Sequence, residues 1–168
     1  MLKNGVLILK PNLPPGQQAI EKIPSLHIGT IPRFNPQKWK LTIDGEVKKP
    51  QMLTWNEVLS LPKTIHIADF HCVEGWSVLD CKWEGVAFKT IAERTTPKPD
   101  AKSVLFSSSD GYTTSLPLTD LLNNDVLIAY KLNDKPLEPE LGAPLRLIVP
   151  EKYAYKNAMW LQKITFTV

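Results

Sequence analysis

The sequence predicts an α+β fold, mixed in composition and rich in strands. Three observations lead there. Short segments of period-2 alternation recur along the chain. The helix signals between them are brief, and proline or a turn cuts them off. The alternation of strands and helices is too irregular for a doubly wound parallel sheet. Fifteen prolines and eight glycines among 168 residues fit a chain of many short segments and turns.

The elements follow in order. Residues 1–38 lack periodicity: Leu13-Pro14-Pro15-Gly16-Gln17 and Gly29-Thr30-Ile31-Pro32 read as an irregular arm wrapping a single domain that spans 1–168. Trp39-Lys40-Leu41-Thr42-Ile43 alternates, Asp44-Gly45 is a turn pair, and Glu46-Val47 opens the expected return strand, which Pro50 ends. Thr54-Trp55-Asn56-Glu57 fits a capping box, starting a short helix that runs to Leu61 and stops at Pro62. Thr64–Ala68 is a strand leading into Phe70-His71-Cys72. Gly85-Val86-Ala87-Phe88 leads into a second helix over Lys89–Arg94. Ser103–Ser107 is a strand, and Asp110-Gly111 turns the chain into Tyr112–Ser115. Leu118–Leu122 is a short helix. Val126–Lys131, Arg146–Val149 and Trp160–Val168 are strands, the last with Ile164, Phe166 and Val168 on one face.

Bulk properties exclude several function classes. A formal charge of +3 and scattered lysines, as in Lys38-Trp39-Lys40 and Lys48-Lys49, describe a solvated surface and no nucleic-acid partner. No run reaches the roughly 18 apolar residues that a membrane helix needs, so no direct membrane insertion is expected. The apolar start of the chain is cut by Lys10 and Pro11 and reads as a mature N-terminus, not a signal peptide, so the expected location is cytoplasmic. Two cysteines are too few for a disulfide framework.

The densest run of unusual residues is Phe70-His71-Cys72-Val73-Glu74-Gly75-Trp76-Ser77. A thiolate at a strand end, beside a glycine, can meet a ligand that approaches the backbone closely. Read by itself, the run leaves other accounts open. Cys72 fits a packed core thiol, a disulfide partner of Cys81, or part of a zinc set with His66, His71 and Cys81.

Taken with further segments, the run resembles the molybdopterin-binding domain of the sulfite oxidase family, in particular its small bacterial and archaeal members and the catalytic subunit of the protein-methionine-sulfoxide reductase. The matching pieces, in the family's order, are Pro14–Gln17, Trp39–Val47, Cys72–Ser77 with Trp83–Val86, Ser108–Leu118, Leu127–Tyr130, Gly142–Pro150 and Tyr153–Lys156. The resemblance covers roughly residues 13–168.

It implies a β-rich sulfite oxidase-type fold holding molybdenum on the dithiolene of a pterin, the cofactor molybdenum-molybdopterin. Cys72 matches the family's metal-ligating cysteine. By position, Arg146 and Ser108 match cofactor contacts, Lys156 and Asn157 belong to a loop around the pterin and its phosphate, His27 reaches in from the arm, and Tyr112 lies near the metal. Leu141 and Met159 depart from the pattern, replacing a polar contact and a cation. The activity implied is a molybdenum oxidoreductase that transfers an oxygen atom to or from a small-molecule substrate. With no haem, flavin or iron–sulfur motif in view, a separate electron-transfer partner, either a redox protein or a membrane subunit, is implied. The alternative is a non-catalytic module of the same fold.

Overall fold

The computed structural model describes residues 12–25, 27 and 29–168, together with the backbone of a small antiparallel ladder, β1 (Leu2–Lys3) with β2 (Val6–Leu7). The rest of the apolar start, and the reading of it as a mature terminus, lies outside the described residues. The remaining strands are β3 (Gln18–Ala19), β4 (Lys40–Gly45), β5 (Gln51–Thr54), β6 (Lys63–His71), β7 (Trp76–Ala87), β8 (Ser103–Ser108), β9 (Thr113–Pro117), β10 (Leu127–Leu132), β11 (Lys135–Pro136), β12 (Arg146–Ile148) and β13 (Leu161–Thr167). Three short α-helices lie between them: α1 (Trp55–Ser60), α2 (Phe88–Thr95) and α3 (Leu118–Leu121). This is the strand-rich mixed fold that the sequence predicts.

Two mixed sheets carry the architecture. One has the order β5-β4-β13-β8-β9. The other centres on β7, which pairs with β6 and β10, while β12 and β11 pair with β10 and β3 pairs with the start of β7. All pairings are antiparallel except β3 with β7 and β13 with β4. Between the sheets lies the larger core, where Leu41, Ile43, Phe106, Ile164 and Phe166 of the first sheet meet Val86, Ile128 and Leu147 of the second. A smaller core, with Phe70, Cys81, Trp83, Leu127 and Ile148, occupies the other face of the second sheet, where Ile20 and Ile23 of the arm cover it.

Local chemistry explains the helices. Thr54 accepts from the Glu57 amide while Glu57 reaches back to the Thr54 amide, so the expected capping box starts α1. Helix α2 buries Phe88, Ile91, Ala92 and Thr95, one face at helical spacing, and ends at Thr96 with φ +52°. Phe88 stacks on Phe166 and meets Phe106 edge-on, each at 5.9 Å between ring centres, which locks α2 into the larger core.

Two expectations need correction, and one strand is new. The return strand is β5, not Glu46-Val47: the Glu46 amide instead donates to the Phe166 carbonyl, and Val47 bridges to Pro97. The 12-residue β7 has no assignment from the sequence, because its buried residues interrupt any simple alternation. Val168 is 70% exposed, since the ladder ends at Thr167, whereas Ile164 and Phe166 are buried.

Candidate active site

Strands β6 and β7 form a hairpin whose turn carries Cys72. The Cys72 amide donates to the Trp76 carbonyl and the Gly75 amide donates to the Cys72 carbonyl, so residues 72–76 close tightly. The Cys72 side chain is nearly buried and lines a cavity of about 550 Å³. Arm residues Ile23, Pro24 and His27 form one wall, and Arg146, Asn157 and Trp160 form another. The thiol sits 4.0 Å from Glu74 Oε2, and that same oxygen accepts from Trp76 Nε1 at 3.3 Å.

Behind the turn lies a brace that sequence reading missed. Gln17 Nε2 donates to the Cys72 carbonyl at 3.0 Å, which orients the amide and leaves Gln17 Oε1 to accept from Ser77 Oγ at 2.8 Å. Ser77 has one hydroxyl proton, so His71 Nδ1, 2.6 Å away, must be the donor to Ser77 Oγ. His71 therefore carries its proton on Nδ1. The chain Gln17–Ser77–His71 ties the arm to both strands of the hairpin and holds the backbone that presents Cys72. Nothing local marks Gln17, at the end of the Pro14–Gln17 segment, because its partner lies 55 residues away.

Arg146 supplies the cation. Its guanidinium is buried, donates to the Leu141 carbonyl at 2.8 Å and the Asn157 carbonyl at 3.1 Å, and lies over the rings of Phe70 and Trp83. Its Nε has no hydrogen-bond partner, and among the described residues no carboxylate pairs with it. Burial pushes its pKa down to about 10, which still leaves it charged at neutral pH. A buried cation with no counter-charge, facing a cavity, needs an anion to offset its lost hydration. Gly142, at φ +112°, lets the preceding loop close on this arginine: a β-carbon there would stand 2.8 Å from Met159 Cβ and 3.1 Å from Arg146 Cβ.

The structure brings together five of the seven residues singled out from the sequence. Cys72, Arg146, His27, Tyr112 and Asn157 all line the cavity. His27 Nδ1 lies 3.0 Å from the Gly29 carbonyl and packs edge-on against Trp160, and the Tyr112 hydroxyl donates to the Tyr155 carbonyl. Asn157 uses its side chain on the protein: Oδ1 accepts from the Val149 amide, and Nδ2 donates to the Lys152 and Tyr153 carbonyls. It shapes the 150–157 loop. Ser108 and Lys156 stand outside the lining. Lys156 donates to the Ser115 carbonyl over the Tyr155 ring, whereas Ser108 Oγ is buried with no partner. Leu141 and Met159 both lie on the cavity wall.

The zinc set does not assemble: among the described residues no three His, Cys, Asp or Glu side chains converge. Both cysteines are free, so the disulfide is absent as well. Burial, with the Asp69 carboxylate adding to it, pushes the Cys81 thiol up to about 12, as suits a packing residue. The residues present do fit a molybdenum–pterin group. Cys72 offers a soft sulfur ligand, and Arg146 offers a buried Nε–H that lacks a protein partner.

Comparison with known proteins agrees. The oxidoreductase molybdopterin-binding domain family matches residues 28–168. The uncharacterized oxidoreductase YuiH of Bacillus subtilis is 41% identical over 156 residues, covering 92% of this chain and 79% of that protein. The protein-methionine-sulfoxide reductase catalytic subunit MsrP of Campylobacter jejuni is 33% identical over 151 residues, covering 80% of this chain but 50% of the subunit, so this chain spans half of that relative. The sulfane dehydrogenase SoxCD from Paracoccus pantotrophus shares the fold, with a TM-score of 0.74 at 21% identity over 81% of this chain and 40% of its own. The chain belongs to the oxidoreductase molybdopterin-binding domain family, and its cofactor is molybdenum-molybdopterin.

Proposed function

From that membership we propose that the chain is a molybdenum oxidoreductase domain in which the Cys72 thiolate ligates the metal and Arg146 holds an anionic part of the pterin. The observation that carries this reading is the pairing, in one cavity, of a soft sulfur ligand with a buried arginine that has no counter-charge. When bound, the cofactor supplies two-electron oxygen-atom transfer.

The remaining roles belong to the protein. The Gln17–Ser77–His71 brace positions the Cys72 backbone. Arg146, pinned by two carbonyls and two aromatic rings, gives a fixed cation with a free Nε–H. Asn157 shapes the loop whose backbone faces the cofactor. His27 and the arm residues around it screen the cavity from water. Tyr112 stands at the rim near the reacting centre. Ser108 and Lys156 would reach the cofactor only from positions outside the present lining. All of this falls within one unit, residues 1–168.

The cavity wall also bears on the substrate. Glu74, Asp110 and Glu140 face it alongside Arg146. A small dianion such as sulfite meets three carboxylates there, so the substrate in this reading is a neutral or cationic small molecule. Electrons pass to or from a separate redox protein or membrane subunit, because these 168 residues contain no haem, flavin or iron–sulfur motif. No helix among the described residues is long and apolar enough to cross a membrane. Two unpaired cysteines suit a reducing compartment such as the cytoplasm, which fractionation of the native cells would check.

The test is elemental and pterin analysis of the chain made in a molybdopterin-competent host. Near-stoichiometric molybdenum with a fluorescent oxidised pterin is expected. Cys72→Ser should lose the thiolate-to-metal absorption of the oxidised protein. Retention of that band in Cys72→Ser would remove Cys72 as the ligand. Absence of both metal and pterin, from a host that loads a known relative, would remove the whole reading.

A further inference from the structure

Strand β6 is the outer edge of its sheet. Among the described residues it pairs only with β7, so one side of a nine-residue strand keeps its backbone groups free. Such edges are templates for another strand, and proteins commonly blunt them with a bulge or proline. Here the irregularity lies on β7: Ala68 pairs with Cys81 and Phe70 with Val78, so the extra residue falls between Val78 and Cys81 and β6 itself runs unbroken. Pro62 stands just before the strand, not within it. One face of this edge is apolar and exposed, with Ile65 at 45% and Ile67 at 59% exposure. Lys63 and Asp69 flank the two isoleucines at the same period, on the same face.

We propose that β6 pairs with β6 of a second copy, antiparallel, about a two-fold axis through His66. The sequence of the strand selects both the occupant and the register. In an antiparallel ladder, backbone groups that point outward belong to alternate residues, so a two-fold pairing must centre on a residue. The centres that overlap the apolar pair are Ile65, His66 and Ile67. Centring on Ile65 sets Lys63 opposite the partner's Ile67. Centring on Ile67 sets Asp69 opposite the partner's Ile65. Only the His66 centre matches every position on the face, with Ile65 opposite the partner's Ile67 and Lys63 opposite the partner's Asp69, each twice by symmetry. Cross-strand apolar and opposite-charge pairs favour a ladder, and a charge facing an apolar side chain does not. On the other face Thr64 meets the partner's Ala68, which leaves room for the two histidines at the axis.

The internal partners of the charged residues permit this. Lys63 lies 3.8 Å from Glu84, at the outer limit of an ion pair, and 57% of its side chain is exposed. Asp69 accepts the Asp80 amide with Oδ1 and keeps its second oxygen free. A single strand pair buries less than the roughly 1,200–2,000 Å² of a standard stable interface, so the dimer depends on concentration. Because β6 runs directly into Cys72, the joined sheet would also stiffen the strand that leads to the cavity.

The test uses the cofactor-loaded full chain in two measurements. Sedimentation equilibrium should show a reversible dimer, and Ile67→Lys, at an exposed position, should weaken it by roughly tenfold or more while leaving the circular dichroism unchanged. Residues paired across an antiparallel ladder lie about 4.5–5.5 Å apart at Cα, within the range of a disulfide. His66→Cys should therefore cross-link to itself under mild oxidation. Thr64→Cys should not cross-link to itself but should cross-link to Ala68→Cys in a mixture. A wild type that stays monomeric at high concentration overturns the proposal. So does a dimer indifferent to Ile67→Lys, or equal self-cross-linking at positions 64 and 66.

Discussion

Cys72 and Cys81 are the same residue type in the same hairpin, and their surroundings divide their chemistry. Cys72 lines the cavity beside Glu74, whereas Cys81 is sealed under the second sheet, where its thiol donates weakly to the Val78 carbonyl at 3.6 Å. Burial raises the Cys81 pKa from an ordinary 9.0 to about 12. Unfolding would release that proton once the pH passes about 9, while the folded chain retains it. The unfolded state then binds fewer protons, and stability falls as pH rises through this window. Arg146 acts in the opposite direction, but only above its folded value of about 10, where the unfolded chain binds the extra proton. Between pH 9 and 10 the cysteine acts without that opposition. Urea titrations across that interval should show wild type losing about 1 kcal/mol more than Cys81→Ala. Parallel slopes for the two proteins would show that the thiol is not held neutral.

At the scale of elements, what was legible in the sequence depended on how far each signal reaches. The capping box at Thr54–Glu57 was legible because both partners lie within one turn. The alternating strands β4, β8 and β13 were legible because each shows one face to the core. Strand β7 was not, because Trp83, Glu84, Gly85 and Val86 are all buried in succession. Within the site, position in a motif indicated Cys72 and Arg146. It did not indicate that Asn157 braces a loop, that Lys156 turns to Ser115, or that Gln17 supports the cysteine, because these depend on tertiary partners. Gly85 shows the same limit. Its backbone passes so close to β10 that an added β-carbon would lie 2.1 Å from the Ile128 carbonyl oxygen and 2.6 Å from Ala129 Cα. Both obstacles are backbone and cannot swing aside. Gly85→Ala should therefore push β7 and β10 apart and cost about 3 kcal/mol or more, at the upper end for single substitutions. Denaturant melts would measure it, and a loss under about 1 kcal/mol would mean that the two strands have slack at this point.

At the scale of the whole molecule, the arm adds a wall to the open end of the hairpin. Ile20 and Ile23 cover the smaller core, Gln17 grips the hairpin, and Ile23, Pro24 and His27 roof the cavity. Among the described residues, the stretch before Ser25 is anchored by a two-residue parallel ladder to β7, the Gln17 hydrogen bonds and those two isoleucines. Segments held by so few contacts open locally far more often than the core does. A cofactor touching both the arm and the rest of the wall stabilises the closed form and not the open one. Lys22 is exposed and sits in the middle of this segment, so trypsin cleavage after it reports arm opening. Loading the chain with molybdopterin should slow that cleavage. Gln17→Ala, which leaves the Cys72 carbonyl and Ser77 without their partner, should speed it by roughly tenfold, the equivalent of one to two net hydrogen bonds. The fragment beginning at Ile23 is the species to follow by mass. If loading leaves its rate unchanged, the cofactor does not contact the arm, and His27 then belongs to the outer surface instead of the site. If loading protects but Gln17→Ala has no effect, the isoleucines carry the arm, and the brace serves only the hairpin turn that presents Cys72.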